Sequence, residues 1–226
     1  MKLRLNSIAG MLVAAAVVAA PAAMAQSAEQ WTVKGGVTKI TPKVESGDVS
    51  APALPGSKAD IGADTQPTFG FTYSFTDNIS TEVALGLPYK HKIYGAGSIS
   101  GTGELGTVRS LPPTVFAQYR FFKPDAMLRP YVGVGATYAY FTHETGSGRL
   151  TAVSDIGSPN PTTFKVKSKL AATLQLGLVY NINARYYADL FVTKTFLKTN
   201  VNFSSGQHQD LTLNPEAVGI AIGYKF

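Results

Sequence analysis

The sequence predicts an all-β protein, an eight-stranded antiparallel up-and-down transmembrane β-barrel, and three observations carry that expectation. Apolar residues recur at every second position in eight separate segments. The connections between those segments alternate strictly between short and long. Charge is sparse, at 15% of 226 residues, yet no apolar run after residue 25 is long enough for a membrane helix.

From the N-terminus, residues 1–25 read as a secretory signal peptide. Lys2 and Arg4 make a positive start, residues 8–20 an apolar run of 13, and Ala23-Met24-Ala25 a small-residue cleavage site. The run is shorter than the ~20 residues a spanning helix needs. The exported part is then 26–226, and without Lys2 and Arg4 the formal charge falls from +6 to +4. So small an excess gives no reason to expect nucleic acid as a partner. The absence of cysteine excludes disulfides, thiolate zinc sites and cysteine nucleophiles.

The strands follow in order. Successive side chains of a strand point to opposite faces, so each segment should carry one apolar face toward lipid. Residues 31–42 align Trp31, Val33 and Val37; residues 67–75 align Phe69, Phe71, Tyr73 and Phe75. Residues 79–90 align Thr81, Val83, Leu85, Leu87 and Tyr89, and residues 110–122 align Pro113, Val115, Ala117, Tyr119 and Phe121. Residues 131–142 set Val132, Val134, Ala136, Tyr138 and Tyr140 opposite Gly133, Gly135 and Thr137. Residues 166–180 align Leu170, Ala172, Leu174, Leu176 and Leu178, and residues 186–200 align Ala188, Leu190 and Val192. Residues 213–226 close the set with Val218, Ile220, Ile222, Tyr224 and Phe226.

Short connections at 76–78, 123–129 and 181–185 alternate with long ones, rich in Gly, Ser and Pro, at 43–66, 91–109, 143–165 and 201–212. Bacterial outer-membrane barrels have that rhythm, with turns at the periplasmic rim and longer loops outside. Aromatic residues support it: Phe75, Tyr119, Phe121, Tyr180, Tyr186, Tyr224 and Phe226 fall near periplasmic strand ends, and Tyr89, Tyr138, Tyr140 and Phe141 toward the other end. A soluble eight-stranded barrel is the competing architecture, but it needs apolar residues inside, and here the second faces carry Thr, Gly, Gln, Lys and Asp.

Eight strands leave an interior that side chains can fill, so a wide aqueous pore is not expected. The inward faces place Lys34, Glu82, Gln118, Arg120, Asp189 and Lys225 near the periplasmic rim, where opposite charges should pair into a closed plug. Toward the outer rim the lumen turns apolar, with Ile40, Pro42, Pro88, Pro112, Phe141 and Leu197. Pro42, Pro88, Pro112 and Pro113 lack the ladder hydrogen bond and can interrupt the wall. Two readings follow: a vestibule that admits an oily ligand and releases it sideways into the membrane, or simple packing in which proline ends the strands.

Together, several of these pieces resemble the OmpW family, which includes the AlkL-type proteins. They are the strand from Trp31 to Thr41-Pro42, Leu111-Pro112-Pro113-Thr114 followed by Gln118-Tyr119-Arg120-Phe121, and Arg129-Pro130-Tyr131-Val132-Gly133-Val134-Gly135. The last is Asn214-Pro215 followed by Gly219-Ile220-Ala221-Ile222-Gly223-Tyr224-Lys225-Phe226. The resemblance implies an outer-membrane barrel with a hydrophobic channel, lateral release, and passive uptake of small hydrophobic molecules. The closing Phe226 also resembles the signal read by the outer-membrane barrel assembly machinery. A receptor or structural barrel acting through its external loops is the alternative.

Catalysis, metal and cofactor are not expected. The three histidines, His91, His143 and His208, lie in or beside external loops with no compact His-x-Ser pair, and read as solvated. The Gly-rich stretch 95–106 has no following helical period and reads as a flexible loop. Lys90, Lys92, Arg109, Arg149, Lys165, Lys167 and Lys169 fit two readings equally, contact with lipopolysaccharide phosphates at the outer rim or a solvated rim.

Overall fold

The computed structural model describes residues 30–226, and the expected signal peptide lies outside them. The chain runs β1 (Gln30–Thr41), β2 (Glu45–Ser46), β3 (Ser57–Ile61), β4 (Asp64–Ser74), β5 (Ile79–Gly86), β6 (Tyr89–Gly97), β7 (Glu104–Leu111) and β8 (Thr114–Arg120). It continues through β9 (Leu128–Gly146), α1 (Gly148–Ser154), β10 (Phe164–Val166), β11 (Lys169–Asn181), β12 (Tyr186–Phe196), β13 (Lys198–Phe203), β14 (His208–Thr212) and β15 (Glu216–Lys225).

Eight of these strands, β1, β4, β5, β8, β9, β11, β12 and β15, pair with their neighbours in that order, antiparallel throughout, and β15 pairs back onto β1. The sheet is closed and has no free edge, which is what a β-structure in lipid requires. Its outer surface is the alternate apolar set: Phe69, Val134, Leu174, Leu176, Leu190 and Ile220 are all about half exposed or more. At the periplasmic end, aromatic rings touch in series along three arcs. Trp31, Tyr73 and Phe75 lie with centroids 4.9 and 5.0 Å apart, Tyr119 and Phe121 5.1 Å apart, and Tyr186, Tyr224 and Phe226 at 5.2 Å per step. Tyr138 and Tyr140 stack at 6.2 Å toward the other end.

The long connections are folded rather than loose. β3, β6 and β7 extend the wall outward alongside the far half of β9, while β10, β13, β14 and β2 make a separate four-stranded sheet. The seven-residue α1 starts where Ser147 Oγ accepts from the Leu150 amide, a serine N-cap. Apolar residues scattered through these segments account for the order. Ile99, Leu105, Leu150, Phe164, Val201 and Leu211 are buried in one core that continues down to Ala139, Ala171, Leu197 and Leu213. The stretch 95–106, expected to be flexible, is therefore the tip of the β6–β7 hairpin, held by buried Ile99 and Leu105.

Two facing expectations, for Tyr89 and Pro88, are reversed in the structure. Tyr89 points inward and is 2% exposed, not part of the outer girdle. The β5 ladder with β4 ends at Thr68–Gly86, and Leu87-Pro88 then steps out of it before β6 begins. Leu87 and Pro88 are both exposed, so the facing reverses across them: odd positions face lipid in β5 but the lumen in β6, where His91 is also buried. Pro88 accordingly lies exposed on the outside.

Candidate functional site

The lower lumen is filled from several strands at once. Lys34 on β1 places its Nζ 2.9 Å from Glu82 Oε2 of β5 and 2.6 Å from Asp189 Oδ2 of β12, all three side chains being buried. Gln118 Nε2 donates to Glu82 Oε2 at 3.1 Å and to Gln175 Oε1 at 2.8 Å. Arg120 donates through Nη2 to Gln118 Oε1 at 3.1 Å and through Nε to Ser80 Oγ at 3.3 Å, and its guanidinium lies 5.3 Å from the Tyr131 ring centroid. Lys225 stands apart from the other five: its Nζ donates to Asn181 Oδ1 at 2.7 Å and lies 5.9 Å from the Tyr187 ring. The structure thus joins Lys34, Glu82, Gln118, Arg120 and Asp189 into one network and sets Lys225 beneath it.

Sequence reasoning did not single out the tyrosines that complete this layer. The Tyr131 hydroxyl donates to both Asp189 oxygens, at 3.0 and 3.1 Å, and that of Tyr187 to Thr32 Oγ1 at 3.3 Å. Each fits because a glycine faces it on the neighbouring strand, Gly177 opposite Tyr131 and Gly223 opposite Tyr187. A Cβ on Gly177 would lie 2.2 Å from Tyr131 Cζ, and one on Gly223 2.0 Å from Tyr187 Cζ. Gly177→Ala is therefore expected to destabilise the barrel by about 1–3 kcal/mol through overpacking. A chemical-denaturation midpoint equal to wild type would show that Tyr131 moves aside freely.

Above the network a row of hydroxyls crosses four adjacent strands. Thr114, Thr137, Thr173 and Thr195, on β8, β9, β11 and β12, bond side chain to side chain at 2.8, 2.5 and 2.9 Å in turn. Their hydrogen bonds go to one another and, for Thr114, to the Pro112 carbonyl, so they form a polar but satisfied row on this side of the lumen. Over this floor opens a chamber of about 140 Å³, floored by Lys34 and Glu82 and walled largely by apolar groups. Of the predicted vestibule residues, Ile40, Pro42, Pro112, Phe141 and Leu197 line it, whereas Pro88 and Pro113 do not. Pro113 stays in the wall, its carbonyl accepting from the Tyr138 amide at 3.0 Å.

The chamber reaches Phe69 and Leu85, which face outward on β4 and β5, at the level where their ladder ends. Between Thr68–Gly86 and Ile61–Ile93, where β3 and β6 resume the ladder, only scattered bonds cross this seam. The Leu87 amide donates to the Pro67 carbonyl at 3.0 Å, the Lys90 amide to Asp64 Oδ2 at 2.7 Å, and the Gly62 amide to the Lys92 carbonyl at 2.9 Å.

His91 belongs to the same seam and is not solvated, at 4% exposure. Its Nδ1 lies 2.8 Å from the Gly62 carbonyl, which can only accept, so Nδ1 carries the proton and Nε2 accepts from Ser110 Oγ at 3.1 Å. His143 and His208 are exposed as expected. Around the outer rim Lys165 pairs with Glu144 at 3.0 Å and Lys92 with Glu104 at 3.1 Å, a hydrogen bond that raises the Lys92 pKa above its ordinary value. Lys90 and Arg109 face each other directly across the β6–β7 ladder, both exposed.

Comparison with known proteins matches this arrangement to one family. Residues 27–226 match the OmpW family. Outer membrane protein W of Vibrio cholerae is 30% identical over 98% of this chain and 99% of its own. The dibenzothiophene metabolism operon protein PahQ of Pseudomonas aeruginosa is 25% identical, over 87% of this chain and 88% of its own. The crystal structure of the outer membrane protein OprG from Pseudomonas aeruginosa has the same fold, with a TM-score of 0.79, 24% identity, and coverage of 89% of this chain and 97% of that one. With a closed eight-stranded barrel, a lipid-facing apolar belt and a match along the whole described length, this outer-membrane protein belongs to the OmpW family.

Proposed function

We propose that the protein is a passive outer-membrane channel for small hydrophobic molecules, which enter the chamber from outside and leave sideways into the lipid. The observation that carries this reading is the chamber itself: its walls are largely apolar, its floor holds the Lys34–Glu82 ion pair, and it is bordered by Phe69 and Leu85, one pair below the end of the β4–β5 ladder. An oily solute gains from the walls and is opposed by the charged floor, since displacing paired buried charge is costly. The gap between the β4–β5 ladder, which ends at Thr68–Gly86, and the β3–β6 ladder, which begins at Ile61–Ile93, offers the exit, because few main-chain bonds cross it. The name of the PahQ relative, which places it in an operon for dibenzothiophene metabolism, supports the same solute class.

In this reading His91 and Ser110 hold the seam and do no chemistry. Lys90 and Arg109, side by side where like charges would otherwise repel, take lipopolysaccharide phosphate. The closing Phe226 is read by the barrel assembly machinery.

The test is uptake of labelled n-octane by cells that lack or carry the protein, with a second protein bearing Pro67→Cys and Leu87→Cys. The native chain has no cysteine, so that pair is the only disulfide it can form. Uptake should rise with the native protein, fall when the engineered seam is oxidised, and return on reduction. No gain from the native protein would sink the channel. A gain that survives the oxidised lock would place the exit elsewhere.

A further inference from the structure

A second apolar cavity, of about 60 Å³, lies in the folded outer extension above the chamber. The two cavities share four wall residues, Ile61, Val108, Phe141 and Leu213. These come from the end of β3, from β7, from β9 and from the segment joining β14 to β15. Four separate segments therefore meet at one level between the cavities, and every side chain they offer there is apolar. Val108 and Leu213 are buried, and Phe141 is the largest of the four and only partly buried.

The backbone at this level is irregular in a way that aims side chains. The β7–β9 ladder shifts register between Thr107 and Arg109, leaving Val108 between the paired residues. On the facing strand His143 holds φ at 51°, a left-handed conformation unusual for a residue other than glycine. The β9–β11 ladder ends at Ala139–Lys169, and beyond it the Phe141 amide donates to Ser168 Oγ at 3.2 Å instead of to a strand. A bulge redirects the side chains beside it, and strained backbone persists where the surrounding structure over-determines it. Val108 and Phe141, both inward-facing by the alternation of their own strands, stand beside this break in the ladder.

We propose that Ile61, Val108, Phe141 and Leu213 form the size filter of the path, with the Phe141 ring setting the widest solute that crosses from the outer cavity to the chamber. This rests on the channel reading above and adds its selectivity. A linear or flat apolar solute slides past the ring edge, whereas a compact cage has to displace it. Because all four residues are apolar, the filter discriminates by shape, and a change of about one methylene in such a contact is worth roughly 10–200-fold in discrimination.

The experiment compares uptake of n-octane with that of adamantane in cells carrying wild type, Phe141→Ala, Phe141→Leu or Phe141→Trp, each protein first shown to be folded by its heat-dependent shift on gels. Phe141→Ala should raise the adamantane-to-octane uptake ratio by about tenfold. Phe141→Leu should raise it less, and Phe141→Trp should lower it. Val134→Ala, on the lipid face, should leave it unchanged. A wild type that admits octane while every Phe141 variant keeps the wild-type ratio overturns the filter and leaves the channel standing. A wild type that admits neither solute above the protein-free level overturns both. If Phe141→Ala does not fold, Phe141→Leu and Phe141→Trp must still move the ratio in opposite directions.

Discussion

Lys34→Met is expected to lower the free energy of unfolding by about 3–5 kcal/mol, the range seen when one partner of a buried ion pair is removed. The methionine keeps an unbranched apolar stem beside the Phe191 ring, which the Lys34 ammonium now approaches at 4.8 Å. What it removes is the cation 2.9 Å from Glu82 and 2.6 Å from Asp189. Those carboxylates would be left with neutral donors, Gln118 and Thr72 for one and Tyr131 for the other. Glu82→Gln should cost less, because Lys34 keeps Asp189 and no bare charge remains. Urea unfolding in lipid vesicles measures both. Equal losses for the two variants, or none for Lys34→Met, would mean that the network contributes shape rather than charge pairing.

The second large effect belongs to the outer surface. Ile220→Arg should cost about 2–4 kcal/mol, the range for arginine on the lipid face near the bilayer midplane. Ile220 pairs with Val37 on one side and Leu190 on the other, and all three are about half exposed, so the arginine would stand in an unbroken apolar patch. Leu174→Arg, on β11, tests the same belt from another strand. Variants as stable as wild type in vesicles would show that these faces do not meet lipid.

Much of this architecture was legible in the sequence because a closed barrel imposes one simple rule on every strand. Alternation along 110–122 and 186–200 gave both the lipid faces and the inward positions of Gln118, Arg120 and Asp189. The rule failed where the ladder does. Alternation runs unbroken through Leu85, Leu87 and Tyr89, and nothing in it reveals that Leu87-Pro88 leaves the sheet and turns Tyr89 and His91 inward. The outer extension was hidden for a different reason. Its core residues, such as Ile99, Leu150 and Phe164, are single apolar positions among Gly, Ser and Pro, and its strands β2 and β10 have only two and three residues, too few to show a period. The cavities, and the ring between them, exist only once those segments have packed.

The pairing of large inward side chains with glycine has a consequence for how the barrel finds its register. Two-sided strands already forbid slips by an odd number of residues, since these would turn the lipid face into the lumen. Slips by two would keep every face correct and so need another safeguard. In β12 and β15 such a slip puts Tyr187 against Ala221 or Lys225 in place of Gly223, and in β9 and β11 it puts Tyr131 against Gln175 or Val179 in place of Gly177. In β1 and β4 it moves Lys34 from Gly70 to Thr68 or Thr72. Each glycine is a slot that accepts one bulky neighbour at one offset. The residues that fill the lower lumen therefore also act as keys, selecting a single closed sheet among alternatives that hydrophobic patterning alone would leave equivalent.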